Sequence, residues 1–108
     1  MSRIVTVYAV FGSADEAASI ARILVEERLA ACANILGPCR SIYRWQGKVE
    51  DAQEVAALFK TTAEAADALI ARLAELHSYE VPAAMVWPIE MALPAYAQWV
   101  EDETNGSR

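Results

Sequence analysis

The chain has 108 residues, 56% of them apolar, so it can bury one continuous core without disulfides or a structural metal. Its formal charge of −6 argues against a phosphate-binding surface, because nucleic-acid modules of this size are usually basic. No stretch approaches the length of a membrane span, and the opening MSRIVTVYAVFGS lacks the features of a secretory signal. Cys32 and Cys39 fit no zinc-finger or CxxC spacing. The expectation is a reduced, cytoplasmic protein with free thiols and with neither nucleic acid nor membrane among its partners.

Residues 4–11 (IVTVYAVF) are an almost unbroken apolar run rich in β-branched and aromatic side chains, as in a central strand, and Gly12 ends it. Ser13-Ala14-Asp15-Glu16 has the form of a capping box. Ala17, Ile20, Ala21 and Leu24 follow at helical spacing and predict a helix to about Arg28 or Leu29. From residue 31 the period changes to that of a strand, with a bend or bulge at Gly37-Pro38. Gln46-Gly47 is a hairpin tip, and residues 48–60 return as a strand with Val55, Ala57 and Phe59 on one face.

Each arm of that hairpin has about 13 residues, roughly 43 Å when extended. That is about twice the common strand length. A core of this size cannot cover it, so the hairpin predicts a second subunit.

Thr61 is placed to cap a second helix, in which Ala66, Leu69, Ile70, Leu73 and His77 share a face. Tyr79-Glu80-Val81 should be extended ahead of Pro82. Residues 84–91 read as a fourth strand, disturbed at Pro88, and Pro94 opens a short helix carrying Tyr96, Trp99 and Val100. The closing EDETNGSR has nothing to bury and is expected to fray. The order strand, helix, strand, strand, helix, strand, short helix predicts an α+β fold of the ferredoxin-like, split βαβ type (βαββαβ). It forms a single domain over residues 1–103, with 104–108 as tail.

Chemistry centres on few residues. His77, the only histidine, suits a metal ligand or proton carrier, and equally a histidine closing a helix. Tyr79 and Glu80 stand close to it in sequence, although an extended segment would point them to opposite faces. Lys60 ends a strand at a helix N-terminus, where an anion could bind, or is a solvated lysine. Cys32 and Cys39 could bind a soft metal or act as small buried apolar groups. Tyr43 and Trp45 share one face near the hairpin tip, as subunit contact or ligand platform. Glu50, Asp51 and Glu54 could gather hard cations or form a solvated edge. No GxSxG, P-loop, GxGxxG or HExxH pattern is present, and no residue is assigned a catalytic role. The loop Phe11-Gly12-Ser13 lacks the arginine an acylphosphatase needs, and the stacking aromatics of RNA-recognition modules are missing.

The stretches EERLAACANI (26–35), SIYRWQGKVE (41–50), FKTT (59–62) and HSYEVPA (77–83), in this order and spacing, closely resemble the CutA family of divalent-cation-tolerance proteins. The resemblance implies a ferredoxin-like homotrimer similar to PII-type signalling trimers, with long hairpins around the three-fold axis and a link to copper and other divalent cations. It implies no settled reaction and no required cofactor, with a divalent metal, copper, as candidate. The family's motif cysteine matches Cys32, its Tyr-x-Trp matches Tyr43 and Trp45, and its Lys-Thr matches Lys60 and Thr61. Its His-Pro-Tyr-Glu-x-Pro-Glu becomes His77-Ser78-Tyr79-Glu80-Val81-Pro82-Ala83. Ser78 for proline should loosen entry to the segment, and Ala83 for glutamate removes a carboxylate. The expected cleft is lined by Trp45, Lys60, His77, Tyr79 and Glu80, with His77 and Cys32 as candidate ligands for the metal. Binding of a divalent cation or small ligand between subunits is the leading expectation, and a signalling or scaffold trimer is the alternative.

Overall fold

The computed structural model describes residues 3–104. In chain order it has β1 (Ile4–Phe11), α1 (Ala14–Glu26), β2 (Cys32–Trp45), β3 (Lys48–Thr62), α2 (Ala63–Leu76), β4 (Ala84–Pro88) and α3 (Pro94–Glu103). The sheet runs β2-β3-β1-β4, and every neighbouring pair is antiparallel. The connection through α1 spans β3, and the connection through α2 spans β1. That is the split βαβ arrangement of a ferredoxin-like fold.

Strand alternation decides which side chains meet the helices. Val7, Ala9 and Phe11 of β1 and Val55, Ala57 and Phe59 of β3 face one way, onto Ala17, Ile20, Ala21 and Leu24 of α1 and Leu69 and Leu73 of α2. Phe11, Phe59, Leu24, Leu69 and Leu73 are fully buried there, each contributing about 1.5–3 kcal/mol. The opposite face is not bare. At its Ile4 end, Ala97 and Val100 of α3 pack with Ile4 and Ala31. Beyond α3 the face opens, and Trp87 stacks on Tyr8 with 4.8 Å between ring centroids while staying partly exposed.

Element ends differ from expectation in four places. α1 stops at Glu26 because Arg28 turns into the left-handed region at φ 63°, which closes the helix early. The cap of α2 is Thr62, whose hydroxyl accepts from the Ala65 amide at 3.2 Å. Thr61 is fully buried and instead donates to the Leu29 carbonyl at 2.7 Å, tying β3 to the α1–β2 link. β4 ends at Pro88, three residues short. Glu101 to Glu103 form the last turn of α3, anchored by Arg28 Nη2 donating to the Asp102 carbonyl at 2.8 Å, and Thr104 is buried with its hydroxyl on the Val100 carbonyl. The frayed tail expected from 101 onward is therefore ordered through 104; residues 105–108 lie outside the described residues.

The β2–β3 hairpin runs from Cys32 opposite Lys60 to Trp45 opposite Lys48, with a register shift between Ile35 and Pro38 where Gly37 was expected to bend the strand. Gln46 and Gly47 both take positive φ, 51° and 81°, as a two-residue type I′ turn demands. β1 pairs with β3 only as far as Val55. Residues 39–45 and 48–54 thus continue as a two-stranded arm, and the long axis of the molecule measures 45 Å. On one side of the arm Arg40 grips Asp51 through two hydrogen bonds, beside exposed Ile42 and Val49. Ser41, Tyr43 and Trp45 project from the other side.

The two threonines can be told apart. Thr62→Ala should cost about 1 kcal/mol as a lost helix cap and be largely restored in Thr62→Ser. Thr61→Val should cost about 1 kcal/mol, restored by Ser, which keeps a hydroxyl donor for the Leu29 carbonyl, but not by Asp, which caps helices yet cannot donate. Thermal unfolding at fixed protein concentration measures both; Thr61→Asp as stable as the unsubstituted protein would contradict the assignment.

Candidate functional site

The segment after α2 bends where an extended run was expected, and His77 sets the bend. Its ring stacks on Phe11 with 5.0 Å between centroids and is enclosed by protein. Nδ1 accepts from the Tyr79 amide at 3.0 Å, which assigns the proton to Nε2, 2.8 Å from the Val10 carbonyl. Both ring nitrogens are therefore engaged with backbone, and neither points to open space.

Ser78, standing where the resembled family has proline, adds a second anchor. Its amide donates to Glu16 Oε2 at 2.8 Å and its hydroxyl to Oε1 at 3.0 Å. Proline has no amide hydrogen and no hydroxyl, so the serine fastens the entry of the segment to the first turn of α1, and the loosening expected from the substitution is corrected. Burial works to raise the Glu16 carboxyl, but the Ser78 amide and hydroxyl, with smaller contributions from His77 and the Gly12 backbone, together outweigh it and hold the group below its ordinary value of 4.5.

The bend carries Tyr79 back to β3, where its hydroxyl donates to Glu54 Oε2 at 2.7 Å. Burial first, then this bond to a carboxylate, push the phenol well above its ordinary value, so Tyr79 is a proton donor throughout the physiological range. Gly12 makes room for the contact: a methyl group there would lie 3.3 Å from the Tyr79 hydroxyl.

Between the bend and the arm lies a cavity of about 580 Å³. The arm supplies Ser41, Tyr43, Trp45, Gln46 and Glu54; the bend supplies Tyr79, Glu80, Val81 and Ala83; Val10 completes the lining. The bend is what lets Tyr79 and Glu80 share one cavity. Of the five residues expected to form a cleft, Trp45, Tyr79 and Glu80 line it. His77 holds the bend from behind. Lys60 lies elsewhere on the sheet, opposite Cys32 and Thr6, and hydrogen-bonds Asn34. Cys32 is 3.4 Å from the Tyr96 hydroxyl; burial and this contact push the phenol up to about 12.

Glu54 is the residue that sequence reasoning undervalued. It was read as part of an acidic edge, yet it is buried with 7% of its surface exposed. Asp51 of the same run is taken by Arg40. The available signal was alternation: Glu54 opens the buried run Val55-Ala56-Ala57 and shares a face with Ala56. Among the described residues no group of three His, Cys, Asp or Glu side chains is placed to hold a metal ion.

Residues 5–103 match the family model described as CutA1 divalent ion tolerance protein. The chain is 46% identical over 93 residues to the divalent-cation tolerance protein CutA of Thermus thermophilus, spanning 86% of this chain and 90% of that one. It is 41% identical over 89 residues to the mouse protein CutA, spanning 82% of this chain but only 50% of that longer one. Among solved structures, CutA from Xylella fastidiosa superposes with a TM-score of 0.91 at 39% identity, covering 94% of this chain and 98% of that one. The periplasmic divalent cation tolerance protein CutA of Archaeoglobus fulgidus gives 0.89 at 35% identity, covering 93% and 97%.

Glu16→Gln tests the anchor of the bend. It should lower stability by about 1–2 kcal/mol near neutral pH. A carboxyl held below its unfolded value contributes fully above that value and loses the contribution as pH falls through the folded one. The gap to the unsubstituted protein should therefore close on acidification below 4.5. Thermal unfolding as a function of pH measures it, and a gap that persists in acid would contradict the role given to the charge.

Proposed function

The chain belongs to the CutA1 divalent ion tolerance family, and on that premise we propose that it serves divalent-cation tolerance as a homotrimer whose subunit clefts take up a divalent cation, copper in particular, or a small ligand. The observation that carries this reading is the two-stranded arm. A ribbon of two strands is marginal in water unless something packs on it. Ile42 and Val49 are 66% and 64% exposed on one side, Tyr43 and Trp45 each 41% on the other. Arms from neighbouring subunits would cover the side of Ile42 and Val49, and the cavity along the side of Tyr43 and Trp45 would become a cleft between chains, in the manner of PII-like trimers.

The donors of one chain do not complete a metal site. Both nitrogens of His77 are engaged, and Cys32 faces Tyr96 away from the cavity. A cation would draw on Glu54 and Glu80 together with groups of a second subunit. Binding needs no nucleophile, in keeping with the lack of a catalytic motif. A cytoplasmic location belongs to the same proposal, supported by two cysteines that are both free. No helix among the described residues is long and apolar enough to cross a membrane. The signalling or scaffold reading draws on exposed apolar residues, Met91 and Leu93 ahead of α3 and Trp99 within it.

Sedimentation equilibrium should find a trimer, and calorimetry should find saturable Cu²⁺ binding that Glu54→Gln weakens and Ala83→Glu strengthens, each about tenfold, or about 1.4 kcal/mol. A monomer in solution, or Cu²⁺ binding indifferent to both substitutions, would sink the metal-binding trimer.

A further inference from the structure

We propose that the cavity between the bend and the arm binds a small organic cation, an ammonium or guanidinium group carried on an apolar body. The inference rests on reading the cleft as a ligand site and names the class of ligand. Three aromatic side chains, Tyr43, Trp45 and Tyr79, and two carboxylates, Glu54 and Glu80, line the cavity, and its lining includes no lysine, arginine or histidine. Lys48 sits opposite Trp45 in the hairpin register but is not part of the lining.

Glu54 gives the cavity its polarity. More than nine-tenths of its surface is buried, and Oε2 is occupied by the Tyr79 hydroxyl. Oε1 has no hydrogen-bond or ion-pair partner among the described residues, yet it is not sealed from solvent. A largely desolvated carboxylate oxygen facing a cavity is an acceptor that favours a charged donor. Aromatic faces around the same space attract the same sign of charge, and the attraction strengthens where water is excluded. An anion would meet two carboxylates and no cation.

Within one chain a bare metal ion is the poorer match. Hard cations gather six or more oxygens, and softer ones need nitrogen or sulfur ligands. Here the lining has two carboxylates, no histidine and no cysteine. The volume of about 580 Å³ is that of a small-molecule pocket. Val10, Val81 and Ala83 offer an apolar wall to the body of such a molecule.

The probe is phenethylammonium, with 2-phenylethanol as its neutral counterpart of nearly the same shape. Each is titrated into the intact protein at matched ionic strength and followed by calorimetry. The ammonium should bind saturably and about tenfold or more tighter than the alcohol. Glu54→Gln keeps an acceptor for Tyr79, so it should retain the fold while lowering ammonium affinity about tenfold and sparing the alcohol. Trp45→Leu, out on the arm and away from the core, should weaken the ammonium several-fold. No saturable ammonium binding, equal binding of ammonium and alcohol, or indifference to Glu54→Gln in a folded variant would each overturn the proposal. If phenethylammonium fails while Cu²⁺ binds in dependence on Glu54, the organic-cation inference falls and the metal reading stands. If the ammonium binds as described and Cu²⁺ does not, the metal reading falls and this one stands.

Discussion

The ring of His77 lies against Phe11 and uses both of its nitrogens on backbone, one toward Val10 in β1 and the other toward Tyr79 two residues on. Those two bonds lock the end of α2 to the end of β1. They also force the chain to turn back at Tyr79, where Pro82 alone would favour continuing extended. From that turn follow the Tyr79–Glu54 bond, the partial burial of the Glu54 carboxylate, and the wall of the cavity opposite the arm. A buried imidazole with both nitrogens satisfied is rigid, because any rotation leaves a donor or acceptor unpaired at a cost of about 1–3 kcal/mol. Phe11 and the first sheet strand thus govern the shape of a site built mostly from residues far along the chain.

The arm supplies the other wall, and its length has a cost. A strand extended past the edge of its sheet gains cross-strand bonds from its one partner and buries little. Here the outer part is held by the type I′ tip, by Arg40 on Asp51, and by pairing between β2 and β3. The register shift at Gly37-Pro38 lies just inside the point where β1 stops, so the sheet bends where the ribbon leaves the core. Residues on one side of the ribbon, Ser41, Tyr43 and Trp45, are consequently aimed over the same ground as Tyr79 and Glu80.

Much of this fold was legible because periodicity carries it. The alternation of Val55, Ala57 and Phe59 and the helical spacing of Ala17, Ile20, Ala21 and Leu24 each admit one buried face, and the structure uses those faces. What escaped was tertiary. Two adjacent threonines could each cap α2, and only the Leu29 carbonyl decides that Thr61 does not. The acidic Glu101-Asp102-Glu103 is expected to fray from sequence because its anchor, Arg28, lies 74 residues from Asp102. In the site, Trp45, Tyr79 and Glu80 could be named from motif and chemistry. The supporting part of Glu54 could not, since a carboxylate at a strand edge and one beneath a tyrosine read alike until the chain folds back. Lys60 and Cys32 belong to a row with Thr6 elsewhere on the sheet, which neighbouring motif residues in sequence do not reveal.

Two departures from the resembled motif act on opposite ends of the same bend. Ser78 adds hydrogen bonds that proline could not make and ties the entry to Glu16. Ala83 removes a carboxylate from the exit, where its side chain now contributes an apolar patch to the cavity. The entry is consequently held more firmly, and the negative charge of the lining is confined to Glu54 and Glu80. Of those two, only Glu54 is buried and held by a neighbour, and Glu80 is exposed. A buried carboxylate held by a neighbour and an exposed one in the same lining favour a guest with a single cationic head.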